Sequence, residues 1–404
     1  MANYFRVALL VDPSAGYTRG LLQGVTRFLR EHPHWRVTHG PFNRGAVDPQ
    51  SLKDWKGNGI LGRFETESLA RAVKRTRLPT VDLSSMGLID GISTVVYDDV
   101  KVAELAAEHL KQRNFRNYAF CGDDGLPFSR RRSEAFVRAL GSLGRDCRVF
   151  SSDAKRGKQE ANRWHLDAGS LTTWIKTLPR PIAILAAWDG FGQQILDTCR
   201  ELNIAVPEEI SVLGVDDDTL LCELADPPLS SVRLNADGAG YLAAQILDDL
   251  MAGRKTGVRT ELIEPIGVAT RRSTDVQAIS DLVVAAAVRF IREHLSEPIQ
   301  VPDVADAVHL SRRALEDRFR AALQRTPHDQ IVLTKTDQVK RLLAETELPL
   351  ALIAERVGFD HVETMIAVFK RTFSITPGRY RDEVRKPRNS VPKDPIIRQK
   401  EKLP

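Results

Sequence analysis

Cysteine is scarce in this chain of 404 residues. Cys121, Cys147, Cys199 and Cys222 are the four present, and none lies within a CxxC pair. That spacing excludes zinc-ribbon and thioredoxin-type sites, and each thiol reads as a small apolar filler in a reducing compartment. Long apolar runs are missing too. The first, Phe5-Arg6-Val7-Ala8-Leu9-Leu10-Val11, stops at Asp12 and follows no basic segment. It is too short for a membrane span or a secretion signal, so the expected location is cytoplasmic. The chain has no GxSxG, Walker A or HExxH sequence, so it is not expected to be an enzyme. No catalytic residue, metal or cofactor is expected. An excess of one charge is nearly absent as well. The net +5 comes mostly from residues 386–404, which hold six basic and two acidic side chains. That segment also contains Pro387, Pro392, Pro395 and Pro404 and reads as a disordered tail. Bulk charge therefore says nothing for or against nucleic acid.

What is present is a globular composition, 42% apolar and 27% charged, in a chain too long for one ordinary core. Over residues 1–275 apolar strand-like runs alternate with amphipathic helical stretches. Phe5–Val11 precedes a stretch in which Leu21, Leu22, Val25, Phe28 and Leu29 recur at helical spacing. The unit returns at Thr94–Val96, Tyr118–Phe120, Ile182–Ala187 and Ser211–Val215, each followed by a helical pattern. Repeated βα units predict doubly wound parallel sheets covered by helices on both faces, and the length suits two of them.

From Leu282 to Arg385 only helical periodicity remains, broken at Pro298, Pro327, Pro349 and Pro377. The expected division is an α/β domain at 1–275, a linker at 276–283, an all-α domain at 284–385 and the tail at 386–404. Two segments of the all-α domain share one design. In the first, Val304, Ala305 and Val308 form an inward face, Ser311 reads as an N-cap, and Leu315 and Phe319 lie four apart. In the second, Ile353, Ala354 and Val357 precede Gly358 and a helix burying Met365 and Phe369. A short helix, a turn and an amphipathic helix make a helix-turn-helix, so the chain carries two.

This tandem resembles the AraC/XylS family of DNA-binding regulators. The strongest match is Ile353-Ala354 with Gly358-Phe359, then Phe369-Lys370, then Thr376-Pro377 with Tyr380-Arg381. Met365 stands where the family usually has Phe, and Ser374 and His309 where it often has Gly. His309 is expected to strain its turn. The resemblance implies groove-facing positions at Arg312, Arg313, Glu316 and Asp317 in the first recognition helix. In the second they are His361, Val362, Glu363, Thr364 and Ala367. Arginine suits guanine edges, glutamate suits cytosine N4, and Val362 or Thr364 suits a thymine methyl. Because the acidic members repel phosphate, Arg318, Lys335, Lys340, Lys370 and Arg371 are expected to supply the backbone contacts.

Residues 1–275 resemble the periplasmic-binding-protein-like sensors of the lac and galactose repressor family. The matching stretches are Glu108-His109-Leu110, Ala183–Asp189, Ile210–Asp217, Pro227–Val232 and the helix Gly238–Leu250. That family carries its DNA-reading helices before the sensor; here they follow it. A lac-type sensor followed by an AraC-type reader is the arrangement of the bacterial xylose operon regulators.

A sugar site needs carboxylates and an Arg or Asn for paired hydroxyls, and a flat apolar face for the ring. In open α/β sheets such groups gather where strands end. Asp12, Asp98, Asp189 and Asp216 each follow an apolar strand run, and Trp188 offers a stacking face. The resemblance places Arg132 where the repressor family clamps hydroxyls. Asp99, Tyr17, Asp217 and Trp164 are expected neighbours. The whole-chain resemblance implies a homodimeric, sugar-responsive activator, with operator DNA, RNA polymerase and a monosaccharide, D-xylose, as partners. A repressor, or a response to another monosaccharide, stands as the alternative.

Overall fold

The structure is a computed structural model. It describes residues 4–40, 42–43, 46–53, 55–151, 166–254, 257–275, 279 and 281–385. Trp164, the tail 386–404 and residues 276–278 and 280 of the expected linker lie outside these residues. The chain divides into two compact units, Met1–Ser280 and Asp281–Pro404.

The first unit opens with β1 (Phe5–Leu10), α1 (Gly16–Glu31), β2 (Trp35–His39), the small ribbon β3 (Phe42–Asn43) and β4 (Ala46–Val47), β5 (Gly59–Gly62), α2 (Glu67–Thr76), β6 (Thr80–Asp82) and β7 (Ser93–Tyr97). Then come α3 (Asp99–Lys111), β8 (Asn117–Gly122), α4 (Pro127–Leu140), β9 (Arg148–Ser151), α5 (Ala168–Thr177), β10 (Ile182–Ala186), α6 (Asp189–Glu201), β11 (Ile210–Asp216), α7 (Thr219–Leu224) and β12 (Ser230–Arg233). It ends with α8 (Ala236–Met251), β13 (Thr260–Ile263) and β14 (Gly267–Ala269).

Among the described residues the longer strands form two six-stranded sheets, in the orders β13-β7-β6-β5-β1-β2 and β14-β12-β11-β10-β8-β9. All neighbours are parallel except β12 and β14. Helices cover both faces, which is why strands such as Ile182–Ala186 are apolar throughout instead of alternating. Each sheet has its own core. Val7, Leu9, Phe28 and Leu247 belong to the first; Phe120, Phe136, Ile184 and Phe191 belong to the second. The sheets therefore define two lobes.

The chain crosses between lobes three times. The resemblance to lac-type sensors implies crossovers near residues ~110, ~235 and ~262, and two of the crossings, between β12 and α8 and between β13 and β14, fall close to the last two. The crossing expected near residue 110 lies at Asp98 instead. Helix α3 buries Val102, Ala103, Ala106, Ala107 and Leu110 in the second lobe's core, so the chain has already changed lobes when α3 begins.

The second unit is helical: α9 (Leu282–Glu293), α10 (Val301–Ala307), α11 (Arg312–Leu323), α12 (Pro327–Glu345), α13 (Leu350–Arg356), α14 (Val362–Phe373) and α15 (Pro377–Arg385). Side-chain caps set its starts. Asp281 accepts from Val283 and Val284 before α9, Ser311 from Ala314 before α11, and Thr326 and Asp329 form a reciprocal capping box before α12. Helices α10 and α11 form the first helix-turn-helix over buried Val304, Ala305, Leu315 and Phe319, and α13 and α14 form the second over Ile353, Ala354, Val357, Met365 and Phe369. Both turns need a left-handed residue, supplied by His309 at φ 54° and Gly358 at φ 64°. His309 thus holds the strained conformation its turn predicts. At Gly358 a Cβ would also sit 2.6 Å from the carbonyl oxygens of Glu297 and Leu295.

Candidate functional site

Residues at the strand ends of the first unit come from both lobes, and Tyr17, Arg63, Tyr97, Asp99 and Arg132 lie around Asp216. The first lobe contributes Asp12 after β1, Tyr17 on α1, Arg63 after β5 and Tyr97 closing β7. The second contributes Asp99 opening α3, Arg132 on α4, Trp188 after β10 and Asp216 closing β11.

Arg132 is only 3% exposed, and part of its guanidinium is engaged by the protein itself. Its Nε donates to Asp99 Oδ1 at 2.8 Å and one terminal nitrogen donates to the Ala187 carbonyl at 2.6 Å. The guanidinium lies 4.9 Å from the centre of the Phe128 ring, whose face favours the cation. Arg131 reaches the other Asp99 oxygen at 2.8 Å. Asp99 is therefore buried between two arginines, at the N-terminal end of α3 where a negative charge is favoured. Asp98 does something else: its carboxylate caps α3, accepting from Val100 and Lys101 at 3.0 Å each. The cap uses Asp98 Oδ1 alone, and the carboxylate on Arg132 is its neighbour's.

Asp189 has no exposed surface at all. It accepts from Ser231 Oγ at 2.6 Å and from the Asp218 backbone N–H at 2.8 Å, so both of its oxygens are used inside the second lobe. Burial pushes its carboxyl well above the usual range, and the Asp216 charge adds to that push. Asp189 thus ties the start of the 217–218 segment to β12 through Ser231.

What Asp189 organises is the turn at 216–218. Asp216 and Asp217 follow one another at φ 113° and φ 53°, two non-glycine residues in the left-handed half of backbone space. Ser231 Oγ accepts from the Asp217 N–H at 3.0 Å, and Arg271 pairs with the Asp217 carboxylate at 2.8 Å. The twist directs Asp216 toward the charges of both lobes. Its carboxyl is pushed up, to about 7, by withdrawal from water, against the opposing pull of Arg132 and Arg63. Part of Asp216 stays open to solvent, so charging it costs less than charging enclosed Asp189.

Arg63 and Tyr97 complete the cluster, and the sequence reading missed both. Arg63 lies 4.5 Å from the Tyr17 ring centre and pairs with Glu65. Burial raises both the Tyr17 and Tyr97 hydroxyls above the ordinary tyrosine range, so both stay protonated near neutrality. The Tyr97 hydroxyl is buried with no hydrogen-bond partner. Either residue was legible by the rule that gave the aspartates, since Arg63 follows the apolar run Gly59–Gly62 and Tyr97 ends Ser93–Tyr97. Asp12 is half-buried and accepts from the Ser14 N–H at 2.9 Å. Trp188 is half-buried at the N-cap of α6, with its ring folded over Gly190. Together these groups offer acceptors, fixed donors and aromatic faces, a set suited to a neutral polyhydroxy ligand.

On the recognition helices, Arg312, Arg313 and Asp317 of α11 are exposed, as are His361, Glu363, Thr364, Ala367, Lys370 and Arg371 at α14; Glu316 and Val362 are half-buried. Arg312 pairs with Glu316 one turn on, at 2.9 Å. Two expected phosphate donors are otherwise engaged. Arg318 holds both oxygens of Asp281 at 3.0 Å, tying α11 to the cap of α9. Lys335 is 7% exposed, donates to the Gly358 and Glu297 carbonyls and faces the Phe359 ring, so it secures the second turn. Burial lowers its pKa. Lys340 lies over the Phe373 and Tyr380 rings at 5.1 and 5.8 Å.

The chain matches the periplasmic binding protein-like domain family over residues 107–274 and a helix-turn-helix domain family over residues 304–383. It is 30% identical over 386 residues to the xylose operon regulatory protein of Escherichia coli strain K12, covering 93% of this chain and 97% of that one. The protein of the same name from Haemophilus influenzae is 27% identical over 391 residues, with 94% and 98% covered. A solved structure described as that of the xylose-binding transcription activator xylR superposes with a TM-score of 0.80 at 28% identity, over 95% of this chain and 99% of that one. A two-lobed α/β unit, two helix-turn-helices and this end-to-end similarity together place the chain in the family of bacterial xylose operon regulators.

Proposed function

We propose that this protein is a D-xylose-responsive transcription activator of the cytoplasm, acting as a homodimer on operator DNA and RNA polymerase without a catalytic step of its own. The observation that carries the sugar reading is the gathering of Arg132, Arg63, Tyr17 and Tyr97 from two lobes around Asp216. The names of the two curated relatives and the solved activator supply xylose as the sugar.

Asp216, Asp12 and the tyrosine hydroxyls are the groups assigned to sugar hydroxyls. Arg132 and Arg63 are the fixed donors, and Trp188 is the flat face. Asp99 and Asp189 position Arg132 and the 216–218 turn. Bound between lobes, the sugar favours the arrangement in which both reach it, and only that difference in affinity can drive a response.

The route out of the sensor begins on the second lobe. Ser273 Oγ donates to the Val212 carbonyl at 2.6 Å, and Thr274 Oγ1 bonds Ser230 at 2.8 Å and His109 at 2.9 Å. Residues 271–275 thus move with that lobe, and the chain to α9 starts from them. Each reader then sets its two recognition helices in successive major grooves, about 34 Å apart.

Titration calorimetry of the full chain with D-xylose, L-arabinose, D-ribose and D-glucose tests this reading. Binding with xylose preferred supports it. No heat with any of the four contradicts the sugar-sensor reading, and preference for another pentose contradicts the choice of xylose.

A further inference from the structure

One carboxylate of the 216–218 turn reaches across to the other lobe. Asp218 is 7% exposed, and its Oδ2 accepts the backbone N–H of Gly16 at 2.7 Å. Gly16 is the first residue of α1, on the first lobe. The first amides of a helix have no partner within it, so this N–H is free to be used from outside, and the positive end of α1 favours a charge there. Arg19, one turn into α1, approaches Asp218 Oδ1 at 3.5 Å. The closeness depends on glycine: a Cβ at position 16 would lie 2.6 Å from the Asp218 carboxyl carbon and within 2.9 Å of both oxygens. Behind it, the Asp218 backbone is tied to Asp189, and Asp189 to Ser231.

We infer that Asp218 is the latch between the lobes: a second-lobe carboxylate that closes on the N-terminus of α1 and, through the turn it shares with Asp216, makes lobe closure and sugar retention one event. This rests on the sugar-sensor reading for its second half only. The pairing of Asp218 with Gly16 and Arg19 is a contact between lobes whatever fills the cleft. Asp218 is a positioning residue here, since it acts through closure and needs no contact with the sugar. Asp216, two residues away, is carried on the same turn. Breaking the latch lets the lobes part with the Asp216 carboxylate still in place, so the sugar should leave faster while its rate of arrival changes little.

Amide hydrogen exchange and stopped-flow binding on the full chain test this, with Asp218→Asn and Asp218→Ala as the variants. Asn keeps an acceptor for Gly16 and loses the attraction to Arg19, whereas Ala loses both. Exchange at the Gly16 amide should be slow in the wild type and speed up by about tenfold or more in Asp218→Ala, the scale of one charge-assisted hydrogen bond. Asn should be intermediate. Dissociation of D-xylose should quicken in the same order, with association nearly unchanged. Folding is checked by amides of β8 and β10, which should keep wild-type protection. Unchanged exchange at Gly16 in Asp218→Ala would overturn the latch, whether or not any sugar binds. Faster exchange with unchanged xylose dissociation would overturn its link to sugar retention. If xylose binds none of the proteins, the sugar reading fails while the Gly16 result still decides the contact between lobes.

Discussion

Arg132 and Asp99 meet at 2.8 Å, both buried, one on α4 and the other opening α3. The bond fixes the guanidinium that clamps sugar hydroxyls in the proposal, and it explains why two adjacent aspartates have different tasks. At a helix start the N-cap carboxylate turns back to the amides two and three residues on, which occupies Asp98. The next residue lies in the first turn and here faces inward, which delivers Asp99 to Arg132.

Arg132→Ala is expected to weaken D-xylose binding by about 1.5–3 kcal/mol, roughly 10- to 150-fold, since it removes a charged donor and leaves Asp99 with one partner fewer. Asp98→Ala should cost about 1 kcal/mol of stability through the lost cap and leave sugar affinity close to wild type. Calorimetry and thermal melts of both variants separate the two roles. Equal affinity losses would return Asp98 to the site.

Asp216 predicts a pH dependence with a definite sign. Its carboxyl titrates near 7 in the folded chain, raised from the ordinary value of about 3.9. The stability it contributes is thus full below about pH 4 and is lost as pH rises through 7. Compared with Asp216→Asn, the wild type should lose melting temperature between those values. Xylose affinity should rise over the same interval, because the ionised carboxylate accepts two sugar hydroxyls and the acid fewer. Melts without sugar and calorimetry from pH 5 to 8 check both, and a flat difference between the proteins would contradict the assignment.

The second reader makes two opposed predictions. Gly358→Ala should destabilise by about 1–3 kcal/mol, since it adds a Cβ at φ 64° against two carbonyl oxygens. Ser374→Gly should stabilise by about 1 kcal/mol, since Ser374 closes α14 at φ 58°. Urea titration followed by helical circular dichroism measures each.

Arg313 and Lys370 are both exposed, on α11 and α14. With Arg313 on a base edge and Lys370 on phosphate, Arg313→Ala weakens binding by about 1–3 kcal/mol at one base position, whereas Lys370→Ala weakens all sequences alike and lowers the salt slope by about one. Arg318→Ala should instead loosen the cap of α9, because its partner is Asp281. Binding to a panel of single-base operator variants at several salt concentrations distinguishes the three.

Much of the fold was legible in the sequence, for reasons that particular residues show. The alternation of β1 with α1 and its repeats announces parallel layers, and Gly358-Phe359 with Thr376-Pro377 marks the reader. The misses come from questions that periodicity cannot answer. The apolar stripe of α3 reads the same whichever sheet it covers, so the crossing at Asp98 was expected a helix too late. Lys335 looks like any basic residue until the Gly358 and Glu297 carbonyls are beside it. Arg63 and Tyr97 stand at strand ends as the aspartates do, and only the fold brings them beside Tyr17 and Asp216.

The central claim is that sugar bound between the lobes changes the grip of the helix-turn-helices on DNA. It is tested most directly by measuring operator affinity of the full chain with and without saturating D-xylose, alongside a variant carrying a flexible Gly-Ser insert after Asp275. Xylose is predicted to tighten operator binding by about 5- to 150-fold, operator to tighten xylose binding by the same factor, and the insert to abolish both effects while sparing each separate affinity. Equal operator affinity with and without xylose would contradict the claim, and a full response in the insert variant would contradict the route through residues 271–275.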